Sequence, residues 1–188
     1  SAYIGSLIIG GSGPDGVNIK DLQNGASQGG QSLVRNYGDD SRSEVILDGA
    51  NNIYVAAQTH SIDFPIYGAV SQTTLGGMQD GVVMKINPNC TSIIWSTYLG
   101  GSQDDGAFVL ELDPMTNNIY VGGGTNSADL PGDKSGTIGS SYTPGSNPND
   151  PLPDGFVAIL NNNGQLLKST YIGTNRLDII YGLKFDRL

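Results

Sequence analysis

Residues Ser96 to Pro131 read STYLGGSQDDGAFVLELDPMTNNIYVGGGTNSADLP, and the reading of this stretch decides the fold. It alternates short runs rich in β-branched and aromatic residues with two glycine-rich breaks and two acidic turns, the pattern of strand, turn, strand, turn, strand. Most of it occurs again elsewhere. Asn51 to Pro65 (NNIYVAAQTHSIDFP) aligns without a gap with Asn117 to Pro131 (NNIYVGGGTNSADLP). The two share NNIYV and then the Thr, Ser, Asp and Pro of the following loop. Ser169 to Asp186 (STYIGTNRLDIIYGLKFD) matches Ser96 to Asp113 at the same length, and GGSGPDGVNI from Gly10 echoes GGSQDDGAFV from Gly100. Recurrence of this kind is the signature of a repeat architecture.

Working outward, one repeat spans residues 39–102. Its strands are expected at Ser43–Leu47, Ile53–Ala57, Gly81–Ile86 and Ser92–Tyr98. A second spans 103–173, with strands at Ala107–Leu112, Ile119–Gly123, Phe156–Leu160 and Leu166–Tyr171. Each run is bounded by Gly, Pro, Asn or Asp, the residues that supply turns. Gly132 to Pro153 is an insertion dominated by small polar residues, Gly and Pro, and reads as a surface loop without an apolar anchor. Residues 174–188 begin a further repeat, with a strand at Ile179–Phe185. Residues 1–38 read as an irregular or partial blade: a buried strand at Ala2–Gly10, a loop at Lys20–Gly30 and a strand at Gln31–Tyr37. No stretch shows a helical period. Four-stranded antiparallel units repeating every ~65–73 residues predict an all-β fold of β-propeller-type blades, about two full blades plus partial ones. A β-sandwich also uses hairpins, but its hairpins need not match in sequence.

Composition narrows the function classes. The chain has 188 residues, 37% hydrophobic and only 14% charged, with 28 glycines and 9 prolines. Its surface therefore relies on Asn, Gln, Ser, Thr and Gly. A net charge of −9 argues against a nucleic-acid partner, which calls for a basic stripe. The single cysteine, Cys90, excludes an internal disulfide framework and a Cys-cluster zinc site. No apolar run approaches the ~18 residues of a membrane-spanning helix. The opening residues lack a secretory leader pattern, so the chain is expected to be a mature form or a piece of a longer protein.

The motif order STYLGGSQDD, NNIYV, T-x-S-x-D-[FL]-P, DG[FV]V resembles the seven-bladed β-propeller (SBBP) repeats. The resemblance covers roughly Asp39 to Asp186. It departs at Leu130, where the family's loop has Phe, and at the long Gly132–Pro153 insertion. It implies a large secreted or surface-attached bacterial protein, of a kind found in gliding or type IX secreting bacteria. Few such proteins have a known activity, so the resemblance bears on fold and location more than on function.

Several constellations could carry chemistry. Gly11-x-Gly13-x-x-Gly16 fits the dinucleotide fingerprint, but the required helix does not follow. Gly25-Ala26-Ser27-Gln28-Gly29 fits a nucleophile elbow without its strand, helix or histidine partner. The one histidine, His60, is replaced by Asn126 in the second repeat and reads as a loop residue open to a ligand contact. The carboxylates repeat: Asp39-Asp40 with Asp104-Asp105, Asp63 with Asp129, Asp80 with Asp154. Repetition argues against catalysis, because an active site is built once. Two uses stay open for Asp39, Asp40, Asp104 and Asp105: capping turn N–H groups, or holding a calcium ion. The repeated tyrosines Tyr54 and Tyr120 are expected in inter-blade packing. Trp95 is unrepeated and is the better candidate for an exposed contact.

The expected function is a non-enzymatic structural or adhesive module of a secreted or surface protein, contacting other blades, other protein chains or surface glycans. The alternative is a carbohydrate-binding or carbohydrate-processing propeller, with calcium as a conceivable cofactor.

Overall fold

The computed structural model describes residues 4–16, 43–145 and 152–186. Within them the regular elements are eight strands: β1 (Glu44–Leu47), β2 (Ile53–Thr59), β3 (Asp80–Ile86), β4 (Ile93–Leu99), β5 (Asp105–Leu112), β6 (Ile119–Thr125), β7 (Asp154–Leu160) and β8 (Leu166–Ile172). They form two antiparallel sheets in simple meander order, β1-β2-β3-β4 and β5-β6-β7-β8. The expected all-β, blade-like architecture is present. All eight strands of the two repeats stand where the sequence places them, longer by a residue or two at some ends and beginning one residue later at β1 and β4.

The turns explain why the hairpins fold locally. Between β1 and β2 the Asp48 carboxylate accepts the N–H groups of Ala50 and Asn52. Between β5 and β6 Asp113 accepts that of Met115. Asn51 and Asn117 close these turns at φ 62° and 57°, a left-handed conformation that asparagine tolerates better than most residues. At the β3–β4 and β7–β8 turns, Asn87 and Asn161 each accept two backbone N–H groups on their side-chain oxygens. A register shift precedes each of these turns, at Lys85/Ile86 and Ile159/Leu160.

The sheets stack face to face. Side chains alternate along a strand, so β2 sends Tyr54 and Ala56 one way and Ile53, Val55 and Ala57 the other. The first set, with Val83, Trp95 and Leu99, joins Leu110, Ile119, Val121 and Phe156 of the second sheet in one buried cluster. By register, Ile119 and Val121 are the counterparts of Ile53 and Val55. The second sheet thus covers its own equivalent of the face that the first sheet turns outward.

The long loops after β2 and β6 run back along the outer strands. Ser96 and Tyr98 of β4 donate their N–H groups to Tyr67 and Gln72, and Ser169 and Tyr171 of β8 donate to Asp133 and Gly139. An outer strand is thereby shielded from further pairing. The described parts of the Gly132–Pro153 segment are consequently not detached from the core, although its composition suggests a loop without an apolar anchor. Tyr142 packs against the main cluster, its ring 6.2 Å from that of Tyr171, and its hydroxyl donates to the Leu152 carbonyl.

Where they are described, the buried strand expected at Ala2–Gly10 and the strand expected at Ile179–Phe185 lie outside the sheets, and the first is only half-buried on one side. Residues 4–10 alternate between exposed and half-buried, with Leu7 and Ile9 against the outward face of the first sheet. Residues 179–185 lie on the second sheet, where Ile179, Ile180 and Leu183 pack on Phe108 and Val109. Asp178 N–H donates to the Pro153 carbonyl as Asp105 N–H does to that of Gln79. The strand expected at Gln31–Tyr37 and the loop at Lys20–Gly30 lie outside the described residues.

Candidate functional site

The carboxylates gather at the end of each sheet where an outer strand hands over to the next repeat. In the second sheet, Asp105 Oδ2 accepts the Gly101 N–H at 2.6 Å and the Ser127 hydroxyl at 2.8 Å. Asp129 Oδ1 accepts the N–H and hydroxyl of Ser102 at 2.9 and 3.0 Å. The Ser127 oxygen also accepts the Gln103 N–H at 2.9 Å. The first sheet repeats this bond for bond. Asp15 Oδ2 accepts the Gly11 N–H and the Ser61 hydroxyl, Asp63 Oδ1 accepts both donors of Ser12, and Ser61 accepts the Gly13 N–H. Thr59 adds its hydroxyl to Asp15.

The handover glycine is required by space. A Cβ on Gly101 would stand 2.5 Å from Asp129 Oδ1 and 2.5 Å from the Ser127 Cβ, and one on Gly11 would meet Asp63 and Ser61 at the same distances. The tyrosine of the Ser-Thr-Tyr motif completes the latch. Tyr98 donates to the Ser61 carbonyl and accepts the Phe64 N–H; Tyr171 donates to the Ser127 carbonyl and accepts the Leu130 N–H. Ser96 and Ser169 donate to the carbonyls of Pro65 and Pro131. A third copy begins at Thr174, whose N–H and hydroxyl both donate to Asp178.

This geometry changes the pairing of the carboxylates. The counterpart of Asp105 in the first sheet is Asp15, which pairs antiparallel with Thr59 as Asp105 does with Thr125. The sequence alone pairs Asp39-Asp40 with Asp104-Asp105 at that place. Asp39 and Asp40 lie outside the described part of the chain. Asp104 is half-buried, and its carbonyl accepts the Asn126 N–H.

Two buried carboxylates meet beside Gly100. A Cβ there would lie 2.4 Å from Asp80 Oδ1 and 2.7 Å from Asp105 Oδ2. Burial, followed by the charge of nearby acidic groups, raises Asp80 to about 6 and Asp105 to about 7. The N–H groups of Gly76 and Gly77 and the Gln72 amide pull Asp80 the other way. Values near neutrality suit proton transfer, but both residues are fully buried, out of a substrate's reach. Burial also raises Asp154. The turn carboxylates Asp63, Asp113 and Asp133 are held below the usual range by hydrogen bonds they accept. Among the described residues no three His, Cys, Asp or Glu side chains gather as a metal site. Asp105 Oδ2 is engaged by two donors of the chain itself.

The proposed contact residues are drawn inward. Trp95 is 3% exposed, not the open platform its lack of a repeat suggests. Its ring sits edge-on to Tyr54 at 6.3 Å, and its Nε1 donates to the Asn162 carbonyl of the second sheet. His60 is half-buried, and its backbone N–H donates to the Pro14 carbonyl. Tyr54 is buried between the sheets, as expected, and Tyr120 meets Phe185 edge-on at 4.8 Å.

Asn162 is a joint that sequence reasoning missed. Its side-chain oxygen accepts Lys85 Nζ at 2.7 Å and the Tyr54 hydroxyl at 2.9 Å, linking the second sheet's last turn to the first sheet. The only sequence signal is an Asn-rich turn, which gives no hint of a partner 77 residues away.

No protein-family model matches the chain, and no curated protein matches it.

Proposed function

We propose that the chain is a non-enzymatic structural or adhesive module, two β-propeller-type blades that hold variable loops on a stiff frame. The observation that carries this reading is the repeated latch. Asp15, Asp63, Asp105 and Asp129 are all engaged with donors of the chain itself, in the same roles in both sheets. Loops positioned by such a frame are where binding resides, and the loops after β2 and β6 differ most between the repeats. The resemblance to SBBP repeats supports placing the module in a secreted or cell-surface bacterial protein, meeting protein chains or glycans.

The purified chain should give no turnover of glycoside, ester or peptide substrates. As a coating on beads it should adhere to protein- or polysaccharide-coated surfaces, and replacing residues 133–145 by a short Gly-Ser loop should alter that adhesion. Turnover that disappears in Asp105→Asn would contradict the reading.

A further inference from the structure

Residues 4–16 superimpose in role on residues 94–106. Gly10, Gly11 and Ser12 take the places of Gly100, Gly101 and Ser102, and Asp15 that of Asp105. Carried back along the chain, Ile4 to Ile9 take the places of Ile94 to Leu99, the outer strand β4. The packing agrees. Leu7 and Ile9 lie on the outward face of the first sheet, as Trp95 and Leu99 lie against the second.

The surroundings differ. Strand β4 has β3 on one edge and the Tyr67–Gln72 loop on the other, and β8 has β7 and the Asp133–Gly139 loop. Residues 4–9 have neither among the described residues. Ile8 is 99% exposed and Ile4 76%, whereas Tyr98, at the place of Ile8, is buried. The face beneath is open too. Val45 is 59% exposed, while its counterpart Leu110, covered by the first sheet, is 1% exposed. Val45, Ile53, Val55, Val82 and Met84 line an apolar groove there, continuous with Leu7 and Ile9.

We infer that residues 4–9 and this groove form one docking site for a further antiparallel β-sheet of the same repeat type, whose Asp-Gly-led strand pairs with residues 4–9 as β3 pairs with β4. The occupant is specified by the existing interface. The equivalent face of the second sheet is already seated on a blade-type sheet, and the equivalent outer strands already pair with DGVVMKI and DGFVAIL. Strand addition of this kind draws affinity from backbone hydrogen bonds and register from alternate side chains. The inference rests on the scaffold reading and names the partner of that scaffold.

The register gives a sharp test. Val82 stands opposite Tyr98 and Val83 opposite Thr97, so Ile8 should face the Val82 position. The 188-residue chain carrying Ile8→Cys and Cys90→Ala is mixed, in a glutathione redox buffer, with synthetic Lys-flanked peptides copying Asp80–Ile86. One peptide carries Val82→Cys and the other Val83→Cys. The mixed disulfide should form at least tenfold more with the first peptide. With the unsubstituted chain and peptide, amide exchange within residues 4–9 should slow, giving a readout independent of the substitutions. Equal cross-linking with both peptides, or none, would overturn the inference. So would a stable dimer that protects residues 4–9, which would give the site to a second copy, or protection of those amides in the monomeric chain alone. Catalytic turnover would sink the scaffold reading, whereas failed strand pairing with intact adhesion would sink only this inference.

Discussion

The two sheets share strand order, register, turns and latch, yet the same positions meet different fates. Leu110 is sealed between the sheets and Val45 is largely in solvent; Leu112 packs on the main cluster and Leu47 is 58% exposed. The difference is one of neighbours. The second sheet's equivalent face has a sheet to lie on, whereas among the described residues the first sheet's outward face has residues 4–10 and side chains of the loop after β2, such as Phe64 and Leu75. Strand pairing and latching are therefore properties of each repeat, while burial of its apolar face is a property of the stack.

The largest effect should separate Leu110 from Val45. Leu110→Ala leaves a cavity between the sheets and should cost about 2–5 kcal/mol in denaturant unfolding. Val45→Ala should stay within about 0.5 kcal/mol. Similar costs at both positions would mean that the first sheet's outward face is covered in solution.

Next comes pH. Asp80 and Asp105, at about 6 and 7 when folded, bind protons more tightly folded than unfolded, where a carboxylate titrates near 3.9. Their contribution is fully present below pH ~4 and is lost as pH rises through 6 to 7. Asp48, Asp63, Asp113, Asp129 and Asp133 are held low. Their contribution is present above pH ~4 and is lost as pH falls through their lowered values. Stability should therefore peak near pH 4–5 and decline toward neutrality. Asp105→Asn should flatten that decline; an unchanged slope would show that the buried pair does not titrate there.

The smallest effect should be at the periphery. Lys184 lies 2.8 Å from Glu111 with its side chain 68% exposed. Lys184→Ala should cost no more than about 1 kcal/mol, less at high salt, by thermal unfolding. A larger loss would mean that the last segment contributes more to the second sheet than its packing suggests.

Much of the fold was legible because hairpins are local. NNIYV, DG[FV]V and the Ser-Thr-Tyr strands carry alternation and turn residues within a few positions of one another. The site was less legible because its partners are distant. Asp15 and Gly16 pair with Thr59 and Gln58, but residues 17–43 separate them from β1. Asp39-Asp40, just before β1, offered a nearer match to Asp104-Asp105. Trp95 looked exposed because Lys168 replaces it in the second repeat, yet its ring lies against Gly164 of the opposite sheet. The insertion looked unanchored because Tyr142 is a single aromatic among small polar residues.

One latch serves both sheets, with Asp15 in the first doing what Asp105 does in the second. Ser61 and Ser127 test it most directly. Each is fully buried, donates to its aspartate and accepts one N–H of the handover turn. Equilibrium unfolding of Ser61→Ala and Ser127→Ala should show losses of about 1–3 kcal/mol each, equal to within about 0.5 kcal/mol. A full loss for Ser127→Ala with none for Ser61→Ala would mean that Asp15 does not latch the first sheet, and the equivalence of the two repeats would fail.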